Sequence, residues 1–339
     1  MIQTKKSIVS WLLNGREPNA YVIPSIKPID RLVILVSRLS YIFLRILLRI
    51  VLGKKRREKI ISYNRLKYEN TTISGSFYLY MYLYRFVRFL KIGNPKFVKL
   101  NVHKYNYKVY CPVTTEDYSH MTEREDHILE HFQPLIGDVV IDVGAHLGRY
   151  ALISSQRIHN QGRVIAIEAN PQVIEGLKKN IELNKAKNII VLNYAVFSSQ
   201  QNKKIKLFLR EESTNNVYSP HNTVMLSRDK LTHNRSKDKE RFVEVDADTL
   251  DNIISSHGID FDGVNWIKID VEGAELEVLK GAHNILSKSR NLSLLIEVHL
   301  LGENKNLYED ILVLLKPYNF KLQFEKLYET GERHIILKK

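Results

Sequence analysis

Residues 139–148 read Val-Val-Ile-Asp-Val-Gly-Ala-His-Leu-Gly, and this stretch decides the fold. A short apolar run ending near Asp142 predicts a buried β-strand, and the two glycines predict a tight turn into a helix. A second apolar run over 163–168 ends in Glu168, and Asn170-Pro171 then supplies an N-cap and a first helical residue. Strands alternating with helices in this way indicate an α/β fold built on a parallel sheet.

The glycine turn differs from the loop that binds dinucleotides. That loop reads G-x-G-x-x-G and points a helix N-terminus at a pyrophosphate, whereas this chain reads D-x-G-x-x-x-G from Asp142 to Gly148. A carboxylate directly before the first glycine would repel a phosphate, so the turn favours a ligand that has a cation and hydroxyl groups. S-adenosylmethionine fits this description, and Glu168 lies where an acid accepts hydrogen bonds from two ribose hydroxyls in such folds.

Several further motifs follow across residues 100–339. They are IDVGAHLG at 141–148, IEANP at 167–171, NYAV at 193–196, TLD at 249–251, KIDVEGAELEVLKGA at 268–282 and IEVH at 296–299. On these motifs the chain resembles the FkbM-type methyltransferases, a branch of the class I S-adenosylmethionine-dependent methyltransferases. One departure is His146, where the family often has Asn. It changes one side chain of the turn but not the backbone conformation that the glycines allow.

The resemblance and the order of the elements lead to the same fold expectation. We expect a doubly wound, mostly parallel, seven-stranded Rossmann-like sheet with an antiparallel C-terminal end, in a methyltransferase domain over 96–339. One helix is predicted over 272–286. The residues expected to bind S-adenosylmethionine are Asp142, Gly144, Ala145, His146, Gly148, Glu168, Ala169 and Ala195.

Candidate catalytic residues also follow strands. Ligands bind outside the carboxyl ends of parallel strands, and Asp270 and His299 are predicted to lie at two such ends. Methyl transfer is an in-line displacement in which the cofactor supplies the reactivity, while the protein aligns the reactants and removes a proton from a hydroxyl acceptor. We expect Asp270 to face the methyl group, and Lys268, on the same strand face, to neutralise it.

Glu297 and His299 share one strand face because they are two residues apart. His299 is a candidate general base that Glu297 would orient; together with Asp270 the two could instead bind a divalent metal. No spacing here is diagnostic of a metal, and we predict none. Glu272 and Glu275 lie at a helix N-terminus, where negative charge is favoured for its own sake.

The charge is unevenly distributed. Residues 1–110 hold 22 Lys+Arg against 4 Asp+Glu, a net charge of +18, and the remainder holds 29 against 33, a net charge of −4. We therefore treat residues 1–95 as a separate basic, helical region. The single cysteine, Cys111, rules out an internal disulfide and fits a reducing cytosol.

The segment 32–52 is apolar almost all round when drawn as a helix. Arg31, Arg38, Arg45 and Arg49 fall within roughly 40° of one another, and KKRR follows at 54–57. Such a helix could lie on an anionic membrane surface, pack against the catalytic domain or a partner subunit, or span a bilayer at the cost of buried arginines. We favour the surface position, with the protein cytoplasmic and peripheral at the inner face of the membrane, and we find no convincing signal peptide.

These observations predict O-methylation of a hydroxyl on a sugar, glycolipid or secondary metabolite, with a lipid-linked glycan fitting the basic N-terminus. One alternative is RNA methylation, since residues 77–90 interleave aromatic and basic side chains. However, DVEG at 270–273 stands where base N-methyltransferases commonly have Asn/Asp-Pro-Pro-aromatic, so we do not expect nucleic acid as a partner. Another alternative is a non-catalytic cofactor-binding protein recruited to membranes.

The polar segment 211–240 is expected to be a substrate lid.

Overall fold

The structure is a computed structural model. It describes residues 20–23, 39, 43, 46, 50, 97–102, 105–112, 121, 125–198, 204–209, 223–224, 242–299, 306–328 and 331–339. The chain divides into two compact units, Met1–Asp126 and His127–Lys339. The domain boundary predicted between residues 95 and 96 stays a prediction.

The first unit contains a small antiparallel sheet. Its strands are β1 (Ala20–Ile23), β2 (Phe97–Val102) and β3 (Tyr107–Pro112), in the order β1-β2-β3. The strands β2 and β3 form a hairpin in which Val102 pairs with Tyr107, and both side chains are buried.

Four described residues between β1 and β2 are helical and expose apolar side chains. Leu39, Phe43, Ile46 and Ile50 have exposed fractions between 52% and 73%. Their spacing of four, three and four residues places them on one side of a helix. The arginine line of residues 31, 38, 45 and 49 and the run 77–90 lie outside the described residues. Within the part of the chain that is described, no helix is both long and apolar enough to cross a membrane.

The second unit is an α/β fold. Its strands are β4 (Val139–Val143), β5 (Arg163–Ile167), β6 (Ile189–Leu192), β7 (Ala195–Val196), β8 (Lys204–Phe208), β9 (Phe242–Asp248), β10 (Val264–Ile269), β11 (Ser293–Val298), β12 (Lys321–Leu327) and β13 (Arg333–Lys338). Its helices are α1 (Asp126–Leu129, which starts at the boundary of the first unit), α2 (Arg149–Ile158), α3 (Pro171–Asn184), α4 (Leu250–Ser256), α5 (Glu275–Lys280), α6 (His283–Lys288) and α7 (Leu307–Leu315).

Seven of these strands form one sheet in the order β12-β13-β11-β10-β4-β5-β6. The five strands from β11 to β6 are parallel to one another, β13 is antiparallel to β11, and β12 is antiparallel to β13. This is the doubly wound, mostly parallel sheet with an antiparallel C-terminal end that the sequence predicts. The strands β7, β9 and β8 form a separate small sheet.

The strand order reverses beside β4. From β4 the chain continues to β5 and β6 on one side, then returns to β10 and builds the other side through β11 and β13. Val143 pairs with Ile269 at the carboxyl ends of β4 and β10. Because such a reversal opens a crevice between the connections, this edge is where an open α/β sheet binds its ligand.

Local sequence explains where α3 begins but not where the helix predicted after β10 breaks. The helix α3 starts at Pro171 because the side chain of Asn170 accepts a hydrogen bond from the N–H of Gln172 at 3.0 Å, as the N-cap prediction required. The single helix predicted over 272–286 is wrong: it is two helices, α5 and α6. Gly281 lies between them, and a Cβ there would be 2.6 Å from the carbonyl oxygen of Phe197. Close packing against that carbonyl therefore requires glycine at the break between α5 and α6.

Candidate active site

The glycine turn connects β4 to α2 and packs against the end of β10. Gly144 has φ +77°, and a Cβ on it would collide with the backbone carbonyl of Asp270. The N–H groups of Gly144 and Ala145 donate to the carbonyl of Ile167 at 2.9 and 3.0 Å, which ties the turn to β5 as well. Glycine is required at 144 because both the backbone conformation and the space exclude a side chain. The turn is thus fixed at the switch point between β4 and β10.

Glu168 lies at the carboxyl end of β5 and is half-buried. Its Oε2 accepts the N–H of His146 at 2.9 Å, and its Oε1 accepts the N–H of Asn170 at 2.8 Å. Burial raises the pKa of Glu168, while the N–H of Asn170 and the charge of His146 act in the opposite direction. Each carboxylate oxygen can accept a second hydrogen bond, so Glu168 can still bind hydroxyl groups. His146 has φ +48°, which aims its N–H at this carboxylate.

Ala169 and Ala195 lie close to Glu168. Both belong to one small apolar cluster, in which Ala195 is buried and Ala169 is half-buried. Asn193 holds this corner, because its side-chain amide donates to the carbonyls of Glu168 and Ala169 at 2.8 and 2.9 Å. The predicted cofactor residues after β5 and near β7 are therefore brought together.

One lysine links the ends of β4 and β10. Lys268 places its Nζ 3.3 Å from Oδ1 of Asp142 and 3.3 Å from Oδ2 of Asp270, and donates to the carbonyl of Gly144 at 2.9 Å. Burial raises the pKa of Asp142, although Lys268 opposes the shift. Burial alone would also raise the pKa of Asp270, but the charges of Lys268, His299 and His334 outweigh it and hold that pKa below its usual range. Asp142 is buried, whereas the side chain of Asp270 is 27% exposed and can meet a ligand.

His299 follows β11 and is surrounded by carboxylates. Its Nδ1 forms a buried hydrogen bond with Oε1 of Glu275 at 2.8 Å. Its Nε2 lies 3.5 Å from Oε1 of Glu272, 3.7 Å from Oε1 of Glu297 and 3.9 Å from Oδ1 of Asp270. The structure therefore brings together the three predicted catalytic residues Asp270, Glu297 and His299.

The carboxylates control the charge of the His299 ring. Burial would lower the pKa of His299, but the hydrogen bond and charge of Glu275, and then the charges of Glu272 and Glu297, raise it well above its ordinary value. A ring that already carries two protons cannot accept a third. The predicted role of His299 as general base therefore requires Nε2 to lose its proton before the acceptor reacts.

Sequence reasoning missed two side chains that contact these residues, Glu275 and His334. Glu275 was explained only by its position at a helix N-terminus; it does accept the N–H of Gly273 at 2.9 Å, but it also holds His299. His334 was not singled out; its Nε2 lies 3.2 Å from Oε2 of Glu297, directly opposite on the paired strand β13. The spacing of Glu275 within VEGAE is a weak signal for its contact with His299. No sequence signal points to His334, because its contact with Glu297 depends on the register of β11 and β13.

The backbone around Glu272 is strained. This residue has φ +54°, a conformation that residues other than glycine rarely adopt. Its carbonyl accepts a hydrogen bond at 2.7 Å from the hydroxyl of Thr223, which lies within the predicted lid segment 211–240. Apart from residues 223 and 224 that segment lies outside the described residues. The strain occurs beside the cluster, as is common at functional sites.

The residues present fit S-adenosylmethionine. Glu168 keeps acceptor capacity for ribose hydroxyls, and the carboxylate of Asp142 precedes the glycine turn at the same edge of the sheet. Together with the order of the seven strands and the glycine turn, these acids define a class I S-adenosylmethionine-dependent methyltransferase.

The family assignment is more specific. A family model described as the methyltransferase FkbM domain matches residues 142–322, which is more than half of the chain. The chain belongs to the FkbM methyltransferase family, and its cofactor is S-adenosylmethionine. A second model, for protein-L-isoaspartate(D-aspartate) O-methyltransferase, matches residues 87–194.

Two relatives and one solved structure show the extent of the similarity. Methyltransferase sdnD of Sordaria araneosa is 25% identical over 154 residues, 42% of this chain and 59% of sdnD. The hexuronic acid methyltransferase AglP of Haloferax volcanii is 27% identical over 190 residues, 56% of this chain and 66% of AglP. The match thus spans less than two thirds of either relative. Among solved structures, the methyltransferase FkbM of Methylobacillus flagellatus is 17% identical, with 60% of this chain and 44% of that chain covered and a TM-score of 0.39.

Proposed function

We propose that this FkbM methyltransferase transfers a methyl group from S-adenosylmethionine to a hydroxyl on a sugar, glycolipid or secondary metabolite. The observation that carries the proposal is the cluster of Asp270, Glu297 and His299 at the carboxyl ends of β10 and β11. It lies beside the glycine turn, because Gly144 packs against the carbonyl of Asp270. We assign the turn and Glu168 to the cofactor side of the site and the cluster to the acceptor side.

The chemistry of a hydroxyl acceptor explains why such a cluster is useful. The acceptor oxygen forms a bond to the methyl carbon, the bond between that carbon and sulfur breaks, and its electron pair remains on sulfur. The cofactor supplies the activated methyl group, whereas the protein must align the oxygen and take up the proton that it loses. Asp270 is the ionised and most exposed member of the cluster, so it is the group best placed to accept the hydroxyl's hydrogen bond. Glu297 and His299 would position it.

Of the two relatives, AglP alone has a name that supports this class of acceptor. AglP is named a hexuronic acid methyltransferase, and sdnD is named a methyltransferase. Since the match covers only part of each relative, a sugar or related hydroxyl remains our proposal for this chain.

We also propose that the N-terminal region brings the enzyme to an anionic membrane surface, where a lipid-linked acceptor would be found. Residues 1–110 carry a net charge of +18, as counted above. Leu39, Phe43, Ile46 and Ile50 expose apolar side chains on one side of a helix. Basic charge next to an exposed apolar side is the combination that favours interfacial binding.

The experiment that tests the acceptor class is transfer of labelled methyl from S-adenosylmethionine into a cell extract that is then separated into lipid, glycan, RNA and protein. The proposal predicts label in the glycan or lipid fraction and none with Asp270→Asn, a variant of almost the same shape. Label in RNA would contradict the proposal. Cofactor binding without transfer to any fraction would instead favour a non-catalytic binding protein.

A further inference from the structure

We propose that Asp270, Glu297 and His299 form a binding site for one divalent cation of the Mg²⁺ or Mn²⁺ type. The inference deepens the proposed function and rests on it, since the cation would hold the acceptor hydroxyl beside the methyl group. It reverses our prediction from sequence that the protein uses no metal, which was made because no ligand spacing was diagnostic.

The three ligand atoms have suitable separations. One atom from each of Asp270, Glu297 and His299 lies within 4.8 Å of the other two. The Nε2 atom of His299 is 3.7 Å from Oε1 of Glu297 and 3.9 Å from Oδ1 of Asp270. Ligand atoms around a six-coordinate cation with bonds of about 2.1 Å are about 3 Å apart when adjacent and about 4 Å apart when opposite. Small rotations of these side chains would therefore complete the coordination.

Each of the three side chains is held from behind by a different neighbour. The Nδ1 atom of His299 is bonded to Glu275, which leaves Nε2 directed at the carboxylates. In Glu297, Oε2 is held by His334 at 3.2 Å and Oε1 faces His299. This arrangement, one atom fixed by a neighbour and the other directed at a common point, is how proteins orient metal ligands.

Asp270 follows the same arrangement. Its Oδ2 lies 3.3 Å from Nζ of Lys268, whereas its Oδ1 faces Nε2 of His299. The distances from Nε2 to Asp270 and to Glu297 both exceed that of an ordinary hydrogen bond. The imidazole is buried, and Oε1 of Glu272, 3.5 Å from Nε2, is a further carboxylate beside the three side chains.

The donor set indicates the kind of cation. Two carboxylate oxygens favour hard cations such as Mg²⁺ and Mn²⁺. Of these two, Mn²⁺ is the softer ion and accepts an imidazole nitrogen more readily. Only three protein ligands are supplied, and the side chain of Asp270 is 27% exposed. The remaining coordination positions are therefore open to oxygen atoms of an acceptor.

The test uses full-length protein that has been freed of metal with a chelator and then dialysed. Manganese is titrated by calorimetry and by electron paramagnetic resonance at alkaline pH, since cation binding requires Nε2 to be unprotonated. We expect one Mn²⁺ per chain. His299→Ala and Glu297→Gln should lose it, and Glu275→Gln should weaken it by about 10–100-fold, as is typical when the group that orients a ligand is changed. Glu309→Gln, at an exposed position on α7, is the matched control and should bind Mn²⁺ normally.

Cofactor binding is measured on every variant to show that the site is folded. Wild-type protein that binds S-adenosylmethionine but no Mn²⁺ would overturn the cation site. Methyl transfer to a hydroxyl that persists fully in chelator would also overturn it while leaving the proposed function intact. Label in RNA by a protein that does bind Mn²⁺ would overturn the proposed function instead, and with it the role given to the cation.

Discussion

The Nδ1 atom of His299 lies 2.8 Å from Oε1 of Glu275, a carboxylate that is fully buried in the first turn of α5. This hydrogen bond joins the end of β11 to the helix that follows β10. It fixes the orientation of the imidazole, so that Nε2 faces Asp270 and Glu297. The side of the site that we assign to the acceptor therefore depends on a residue that would not itself touch the acceptor.

Glu275→Gln tests this dependence. The amide keeps the size of the side chain but removes its charge, so we expect turnover to fall by about tenfold or more while the affinity for S-adenosylmethionine changes little. Glu277→Gln on the same helix is the control, because Glu277 pairs with Lys280 rather than with His299. Steady-state kinetics on both variants measure turnover, and calorimetry measures the affinity for S-adenosylmethionine. Equal losses of turnover in the two variants would mean that the effect is a general one on α5.

Gly144→Ala tests the packing of the turn. Gly144 has φ +77°, and a Cβ would meet the backbone carbonyl of Asp270, which cannot move aside without shifting β10. Gly258→Ala is the matched control: Gly258 has φ +66° but nothing within 4 Å of an added Cβ. The control should lose about 1–2 kcal/mol of unfolding free energy from its backbone conformation, and Gly144→Ala clearly more.

Denaturant unfolding of the two glycine variants gives the comparison directly. Similar losses in both would show that the close approach of the turn to β10 has no energetic consequence.

Lys268→Met tests the shared ammonium group. Lys268 lies 3.3 Å from both Asp142 and Asp270, so its removal leaves a buried carboxylate uncompensated. Breaking a buried ion pair typically costs about 3–5 kcal/mol. We expect a large fall in the unfolding free energy, and partial recovery in Lys268→Met with Asp142→Asn, which removes the buried charge. A double variant no more stable than the single one would contradict this account of the charge balance.

Much of this site could be predicted from sequence because its parts are local. The apolar run 139–143, the glycines and Asn170-Pro171 each determine the structure of their own segment, and the strands appear where these patterns place them. Asp270 and His299 followed from one rule, that ligands bind at the carboxyl ends of parallel strands.

The remainder depended on contacts between distant segments. His334 meets Glu297 only because β13 pairs with β11 in a particular antiparallel register, and no pattern within either strand specifies that register. Gly281 lies at the break in the predicted helix, and its need for glycine comes from the carbonyl of Phe197, some 84 positions earlier in the chain. The second role of Glu275 was hidden because its position at a helix N-terminus already accounted for its charge.

Glu168→Ala tests the cofactor side. Loss of a charged acceptor for ribose hydroxyls should weaken S-adenosylmethionine binding by roughly 1–3 kcal/mol, and NAD should not bind to either protein. Glu175→Gln, at an exposed position on α3, is the control. Unchanged affinity in calorimetry would remove Glu168 from the cofactor site.

Sedimentation with vesicles tests the N-terminal proposal. Full-length protein should sediment with anionic vesicles and be released by salt, because each basic residue near an anionic surface contributes about 1 kcal/mol before screening. Replacing Phe43 and Ile50 with Ser should reduce the fraction that remains bound in salt, since both side chains are exposed. The same substitutions at Leu322 and Leu327, which are exposed in the second unit, are the control. Retention by RNA but not by vesicles would contradict the membrane proposal.

The central claim is that Asp270 and His299 act on the acceptor and not on the cofactor. The most direct measurement is methyl transfer and S-adenosylmethionine affinity on the same preparations of wild type, Asp270→Asn and His299→Ala. We expect turnover to fall by about 100-fold or more in each variant, while the dissociation constant for the cofactor changes by less than about threefold. Equal losses of turnover and cofactor affinity would contradict it, because the cluster would then only shape the cofactor pocket.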